Sequence, residues 1–370
     1  LTGKKNILLY PFSLLYGLIT SVRNFLYNSG TLKGREFDIP VICVGNITVG
    51  GTGKTPHSEY LIRLLSESYR VALLSRGYKR NTKGFRIAGP DDNSSTIGDE
   101  PFQVHRKYPD ITVAVCANRA EGIDEIIEKA PETEVIILDD GFQHRKVKPG
   151  LSILLTDYSR LMIHDHIMPY GELRESVSNM YRSDIILVTK SPLALSPMQR
   201  RIIVKDFNKA AYQDLFFTSY DYVDLKPVFP GNDRIKVSDL NTETPEKLNV
   251  LLVTGIANPT PLAEHIERNY KLAGHLRFPD HHRFRNSDIA SIILQFNEIK
   301  SRYKAIITTE KDAARLQEFS TFAELPVSLM FYIPVNIVFL NDDRENFDKI
   351  VLGYVRKNSR NNRIPKEKRI

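Results

Sequence analysis

From about residue 39 the chain alternates short, unbroken apolar runs with longer stretches of helical period. The runs Val41–Val44, Val71–Leu74, Thr112–Cys116, Val135–Leu138, Ile153–Thr156 and Ile185–Thr189 do not alternate apolar with polar positions. Strands buried on both faces read this way, which predicts a doubly wound, mostly parallel α/β sheet with helices on each side. Ligands of such sheets sit at the carboxyl ends of the strands, and the chemically suggestive residues here cluster just after those ends. Residues 215–229 alternate more and then reach Pro230-Gly231-Asn232-Asp233, which predicts a strand-like connector between domains. A second, smaller α/β unit begins at Leu248, with a helix from Thr260, a strand over Tyr303–Thr309 and a helix after Glu310.

The N-terminal pattern is different. Ile7 to Val22 is a run of 16 residues without a charge, between Lys4-Lys5 and Arg23. It falls short of the ~20 residues a membrane-spanning helix needs, and Pro11 interrupts its beginning. Leu8, Phe12, Leu15, Ile19, Val22 and Leu26 make one apolar helical stripe, with Ser13, Gly17, Thr20 and Asn24 off it. Such a stripe suits a helix packed on a core and a helix lying on a membrane equally well. The expected organisation is a membrane-associating helix over 1–28, a main domain over 29–225, a smaller domain over 226–347, and a helix end with a basic tail over 348–370.

Composition narrows the class. At 370 residues, 42% hydrophobic and 26% charged, the chain is of ordinary folded type and long enough for two domains. Its formal charge of +7 comes largely from Arg356 to Ile370, where seven Lys/Arg face one Glu. The rest is close to neutral, and no aromatic-basic stacking motif appears, so nucleic acid is not an expected partner. Cys43 and Cys116 lie in apolar strand-like runs, which argues for free thiols in a reducing compartment.

Residues 41–56 carry the most chemistry. An apolar run breaks into Gly45-Asn46-Ile47-Thr48-Val49-Gly50-Gly51-Thr52-Gly53-Lys54-Thr55-Pro56. A strand, a glycine-rich loop and a helix start converge backbone N–H groups on an anion; Lys54 reaches the terminal phosphates and Thr55 is placed to ligate Mg²⁺. The match to the phosphate-binding motif is imperfect, because Thr48 stands where its leading glycine belongs. Asp139-Asp140-Gly141-Phe142-Gln143-His144 follows the run Val135–Leu138, and a carboxylate there suits Mg²⁺ binding downstream of such a loop. Gly98-Asp99-Glu100-Pro101 places two carboxylates in a loop, making Asp99 a candidate base for an alcohol acceptor. Ser75-Arg76-Gly77-Tyr78-Lys79-Arg80 is a cationic turn that suits phosphate contact or plain solvation. Phe278-Pro279-Asp280-His281-His282 lacks the ligand spacing of a zinc site, so one histidine is read as a proton acceptor. Thr309-Glu310-Lys311-Asp312-Ala313 reads as a helix cap as easily as a site.

In order and together, these segments resemble the tetraacyldisaccharide 4′-kinases of lipid A biosynthesis. The resemblance runs from Leu14-Leu15-Tyr16-Gly17 through the glycine loop, Ser75-Arg76-Gly77-Tyr78, Gly98-Asp99-Glu100-Pro101, Asp139–His144 and Pro169-Tyr170-Gly171-Glu172-Leu173-Arg174-Glu175 to Asp280-His281 and Thr309–Ala313. The threonine at 48 is usual in that family, and the basic tail is no part of the resemblance. It implies a P-loop NTPase-type fold and transfer of the γ-phosphoryl of ATP, with Mg²⁺, to the 4′-hydroxyl of a tetraacylated glucosamine disaccharide 1-phosphate. The implied place is the cytoplasmic face of the bacterial inner membrane. By resemblance Asp99, His281 and Lys54 are catalytic; Thr48, Val49, Gly50, Gly51, Thr52, Gly53, Lys54 and Thr55 bind ATP. Thr55, Asp139, Asp140 and Glu100 serve the metal, and Asn46, Arg119, Gln143, His144, Glu172 and Arg174 line the acceptor side.

Rival readings turn on named residues. A membrane-associated P-loop ATPase of the partitioning type carries lysine before the double glycine, where this chain has Val49. A regulatory GTPase needs an aspartate that Thr189-Lys190-Ser191-Pro192 lacks. A non-catalytic lipid-binding protein has no use for intact Lys54, Thr55, Asp139 and Asp140.

Overall fold

The computed structural model describes residues 7–229, 247–280, 282–319 and 327–359. The chain forms two compact units, one from Leu1–Tyr220 with Ile337–Ile370, the other from Asp221–Asn336. The strands of the first are β1 (Val41–Gly45), β2 (Val71–Ser75), β3 (Arg86–Ile87), β4 (Thr112–Val115), β5 (Val135–Asp139), β6 (Leu151–Asp157), β7 (Ile185–Thr189), β8 (Asp214–Tyr222) and, later in the chain, β14 (Val335–Phe339). They form one sheet in the order β14-β8-β7-β6-β1-β5-β2-β4-β3. From β8 to β4 every neighbouring pair is parallel, and β3 runs antiparallel at one edge.

Unbroken apolar strands need cover on both faces, and two hydrophobic clusters supply it. Val41 and Cys43 face one cluster with Ile123, Ile126, Ile203 and Phe207; Ile42 and Val44 face the other with Leu61, Ile62 and Leu65. The helices behind these residues are α2 (Lys54–Ser66), α5 (Arg119–Lys129) and α6 (Pro197–Phe207), with α3 (Ser94–Ile97) and α4 (Asp99–Lys107) between β3 and β4. The layers pack closely enough that a Cβ on Gly45 would lie 2.6 Å from that of Phe142. Only glycine fits where β1 hands over to the loop.

Helix α1 (Tyr10–Asn28) is oriented against the usual rule. Its small and polar residues Ser13, Gly17 and Asn24 are the buried ones, whereas Phe12, Leu15, Ile19 and Val22 are exposed. Ser13 Oγ accepts from Tyr170 N at 2.8 Å, and Asn24 Nδ2 donates to Glu175 Oε2 at 3.1 Å. A Cβ on Gly17 would sit 3.1 Å from Ile167. The apolar stripe therefore faces outward, and no described helix is long and apolar enough to cross a membrane.

The second unit holds β9 (Lys226–Pro227), β10 (Asn249–Thr254), β11 (Lys271–Arg277), β12 (Lys304–Thr309) and β13 (Met330–Ile333), in the sheet order β11-β10-β12-β13-β9. Its helices are α7 (Thr260–Asn269), α8 (Asn286–Glu298) and α9 (Glu310–Leu316). Two domain expectations need correction. Residues 215–222 are no exposed connector: β8 pairs with β7 and buries Leu215 to Ser219, so the strand belongs to the first sheet. The second unit also ends before 347, because β14 and helix α10 (Arg344–Asn358) return to the first unit. There Phe339, Phe347, Val351 and Val355 are core, and Tyr354 Oη bonds both N and O of Val41.

Inside the second unit Thr309 caps α9, its Oγ1 accepting from Asp312 N at 3.1 Å. Fully buried Asp312 then accepts from Gly255 N at 2.8 Å and pairs with Arg315 at 3.1 Å. Removing one partner of a buried pair leaves the other charge stranded. Asp312→Ala is expected to cost about 3–5 kcal/mol, read by denaturant unfolding, and an unchanged midpoint would contradict this bracing role.

Candidate active site

The loop between β1 and α2 is held by hydrogen bonds within it and by others from the segments around it. Gly50 and Gly53 have φ of 96° and 86°, a region open to glycine at little cost. Asn46, wholly buried, donates from Nδ2 to Thr52 Oγ1 at 2.8 Å and to Thr48 Oγ1 at 3.4 Å. The threonine at 48 thus fills the place of the motif's glycine as an internal acceptor. Val49 N donates to Glu172 O at 2.8 Å, and Arg160 pairs with Glu172 and donates to Val49 O at 2.7 Å. From the end of β7, Thr189 Oγ1 donates to Thr52 O at 2.9 Å, and Lys190 bonds Gly51 O and Asp157. His57, on the first turns of α2, approaches Gly53 O with Nδ1 at 2.7 Å and Thr218 Oγ1 with Nε2 at 2.9 Å. Burial pushes its pKa down to about 4, so the ring is neutral, with Nδ1–H as the donor.

The two carboxylates after β5 have opposite electrostatics. Asp139 is buried, accepts from Ser58 Oγ at 3.2 Å, and is pushed up to about 7 by burial, then by Glu100 and Asp140. Asp140 adopts a left-handed backbone, φ 50°, which sets its carboxylate 3.5 Å from Lys54 Nζ and 3.4 Å from Arg174. Burial opposes its charge, but Lys54 and Arg174 outweigh burial and hold it below the usual carboxylate range. Thr55 follows Lys54 in the first turn of α2. Asp99 and Glu100 are not in a loop, as the sequence suggested. They open α4 behind Gly98, where acidic residues suit the helix dipole.

Among the described residues no group of three or more His, Cys, Asp or Glu converges on a metal position. A Mg²⁺ ion shared with phosphate oxygens and water asks for less, typically one or two carboxylates. Asp139, crowded by two other acids, and Asp140 Oδ1, buried without a hydrogen-bond partner, fit that demand.

The residues expected on the acceptor side divide. Gln143 Nε2 donates to Asn46 O at 2.6 Å, and half-buried His144 is pushed down to about 4 by burial, Arg119 and Arg76. Arg174 joins the carboxylates, and Glu172 flanks the glycine loop. Asn46 and Arg119 are both buried, and each keeps one polar atom, Oδ1 and Nε, without a hydrogen-bond partner. Arg119, 1% exposed, donates to the carbonyls of Cys116 and Asp139 and so braces the strand ends. His281 lies outside the described residues. The motif search missed Ser58, His57, Arg160, Thr189 and Lys190; only Thr189-Lys190, at the end of a parallel strand, carried a positional signal.

Set against known proteins, residues 5–356 match the family described as tetraacyldisaccharide-1-P 4′-kinase, LpxK. A tetraacyldisaccharide 4′-kinase of Bacteroides thetaiotaomicron is 46% identical over 357 residues, covering 95% of this chain and 94% of that protein. One from Phocaeicola vulgatus is 46% identical over 360 residues, with 97% of each chain covered. Among solved structures, LpxK from Aquifex aeolicus in complex with ATP superposes with a TM-score of 0.70 at 27% identity, over 94% of this chain and 98% of that one. The chain belongs to the tetraacyldisaccharide 4′-kinase family.

Proposed function

We infer that this protein transfers the γ-phosphoryl group of ATP to the 4′-hydroxyl of a tetraacylated glucosamine disaccharide 1-phosphate, a step in lipid A biosynthesis. The observation that carries this reading is the junction of β1 and β5. These adjacent parallel strands end together, one in the glycine loop with Lys54, the other in Asp139-Asp140. Phosphoryl transfer asks for positioning and neutralisation of charge, and this pairing supplies both. Lys54 and the loop N–H groups hold the donor phosphates. Mg²⁺, when bound, neutralises phosphate charge, and Thr55, Asp139, Asp140 and Glu100 are the side chains for it. Asp99, at the start of α4, takes the proton of the acceptor hydroxyl, with His281 as its assistant. Gln143, His144 and Arg174 orient the acceptor, while Asn46, Arg119 and Glu172 keep the loop and strand ends in place.

The outward apolar face of α1 supports work at a lipid surface, on the cytoplasmic side of the inner membrane. Leu15 and Ile19 are 59% and 60% exposed, so charge there leaves the fold alone. A partitioning-type ATPase is not favoured, since the family match spans nearly the whole chain.

Radiolabelled γ-phosphate, Mg²⁺ and the lipid disaccharide test the reaction; hydrolysis without transfer would overturn it. Asp99→Asn is expected to lower kcat by roughly 10²–10⁴-fold, the range of general-base removal, with binding of ATP unchanged. Asp139→Asn is expected to abolish transfer yet stabilise the free protein. A carboxyl raised from 3.8 to about 7 loses stability progressively as pH rises through that window, and the loss is complete above it. The variant is expected to melt about 3 °C or more above the parent at pH 8, with a smaller gap at pH 5. Leu15→Glu with Ile19→Glu is expected to end co-sedimentation with anionic vesicles at unchanged melting temperature; retained co-sedimentation rules α1 out as the anchor.

A further inference from the structure

Helix α2 carries three consecutive side chains that fasten to three different neighbours. Ser58 Oγ donates to Asp139 Oδ1 at 3.2 Å, Glu59 meets α4, and Tyr60 Oη donates to Asp348 Oδ1 of α10 at 2.7 Å. Successive helical side chains point about 100° apart, so one turn reaches all three. Ser58 serves the carboxylates after β5, and Tyr60 ties α10 to the same turn. Glu59 carries no role in the proposed reaction.

A glutamate is almost never fully buried unless it is paired, and Glu59 is 2% exposed. Its Oε1 accepts from Gln103 Nε2 at 2.8 Å, and its Oε2 accepts from Lys107 Nζ at 2.6 Å. Both donors stand on α4. Positions 99, 103 and 107 are spaced by four, so one stripe of α4 carries Asp99 in its first turn and the two donors behind it. The start of that helix abuts the carboxylates, since the charge of Glu100 acts on Asp139. Val104 of the same helix is buried in the cluster that holds Leu61 and Ile62 of α2. Apolar packing of this kind is non-directional and leaves two helices free to slide. A carboxylate held by a cation and an amide one turn apart does not.

We propose that Glu59 is a positioning residue for phosphoryl transfer. It fixes the register of α4 along α2, so that Asp99 meets the acceptor hydroxyl in line with the phosphate held at Lys54 and Thr55. The inference rests on the kinase reading and adds to it the link between the helix of the donor and the helix of the base. A buried ion pair gains little stability over apolar side chains of the same volume, so the geometry it fixes is the better reason for it. A misplacement of reacting groups by about 1 Å costs about 10²-fold in rate, so a small slip of α4 is enough.

The test uses the full chain and two variants. Glu59→Gln removes the charge at nearly constant size. Glu59→Met with Lys107→Met replaces the pair by apolar side chains of similar length, an exchange that commonly leaves stability unchanged or raises it. The kcat for transfer is expected to fall about threefold or more in the first and about tenfold or more in the second, with the KM for ATP unchanged in both. A parental kcat in the double variant, or a KM for ATP that rises as kcat falls, overturns the proposal. So does a kcat that merely follows melting temperature across the two variants, the mark of a structural role. If the apolar pair does not fold, Glu59→Gln decides by the same split. Amide hydrogen exchange over residues 102–107 reads the link without turnover. It is expected to quicken about threefold or more in both variants, while residues 60–66 of α2 keep the parental rates. Unchanged exchange over 102–107 overturns the proposal. Quickened exchange in the variants of a parent that transfers no phosphate sinks the kinase reading and leaves the link between the helices in place.

Discussion

The ion pair between Lys54 and Asp140, 3.5 Å apart, is the constraint around which the first unit is arranged. It joins the ends of β1 and β5, so the glycine loop and the carboxylates after β5 share one scaffold. The cost of that arrangement is visible next door. Asp139 is buried and crowds against Glu100 and Asp140, and Lys54 offsets only part of that. Crowding carboxyls at one strand end in a buried setting raises the cost of ionising the innermost one.

The parallel core was legible because both-face burial removes polar residues from strands, and each run from Val41–Val44 to Ile185–Thr189 proved to be a strand. The glycine loop and Asp139-Asp140 stood out because their residue types at that spacing match a motif, and the structure brings the two segments together at Lys54 and Asp140. What braces them did not stand out. Arg160 and Lys190 meet the loop through tertiary contacts across many residues of chain, and no local pattern announces such partners. Asn46 and Arg119 show a related point: both are buried and donate internally, a bracing that residue type alone does not announce.

Helix α1 shows where periodicity misleads. The stripe was correctly seen, but periodicity gives only the existence of an apolar face and never its direction. Direction was decided by Ser13, Gly17 and Asn24, whose small size and hydrogen bonds fit them to Ile167, Tyr170 and Glu175. The boundary at 347 failed for a related reason: α10 carries an ordinary amphipathic pattern, and only packing shows which core it completes.

The return of α10 bears on how the protein is made. Tyr354 Oη closes on the backbone of Val41, 313 positions earlier, and Phe347 and Val351 fill the same core as Ile42. Contacts so distant in sequence form late, after the loop-closure entropy of the intervening chain is overcome. During synthesis the second unit can fold as soon as it leaves the ribosome, since its residues are contiguous. The first unit, although its strands are translated first, must wait for α10 before its sheet is covered. A nascent chain therefore exposes one face of the first unit's sheet until α10 has been made.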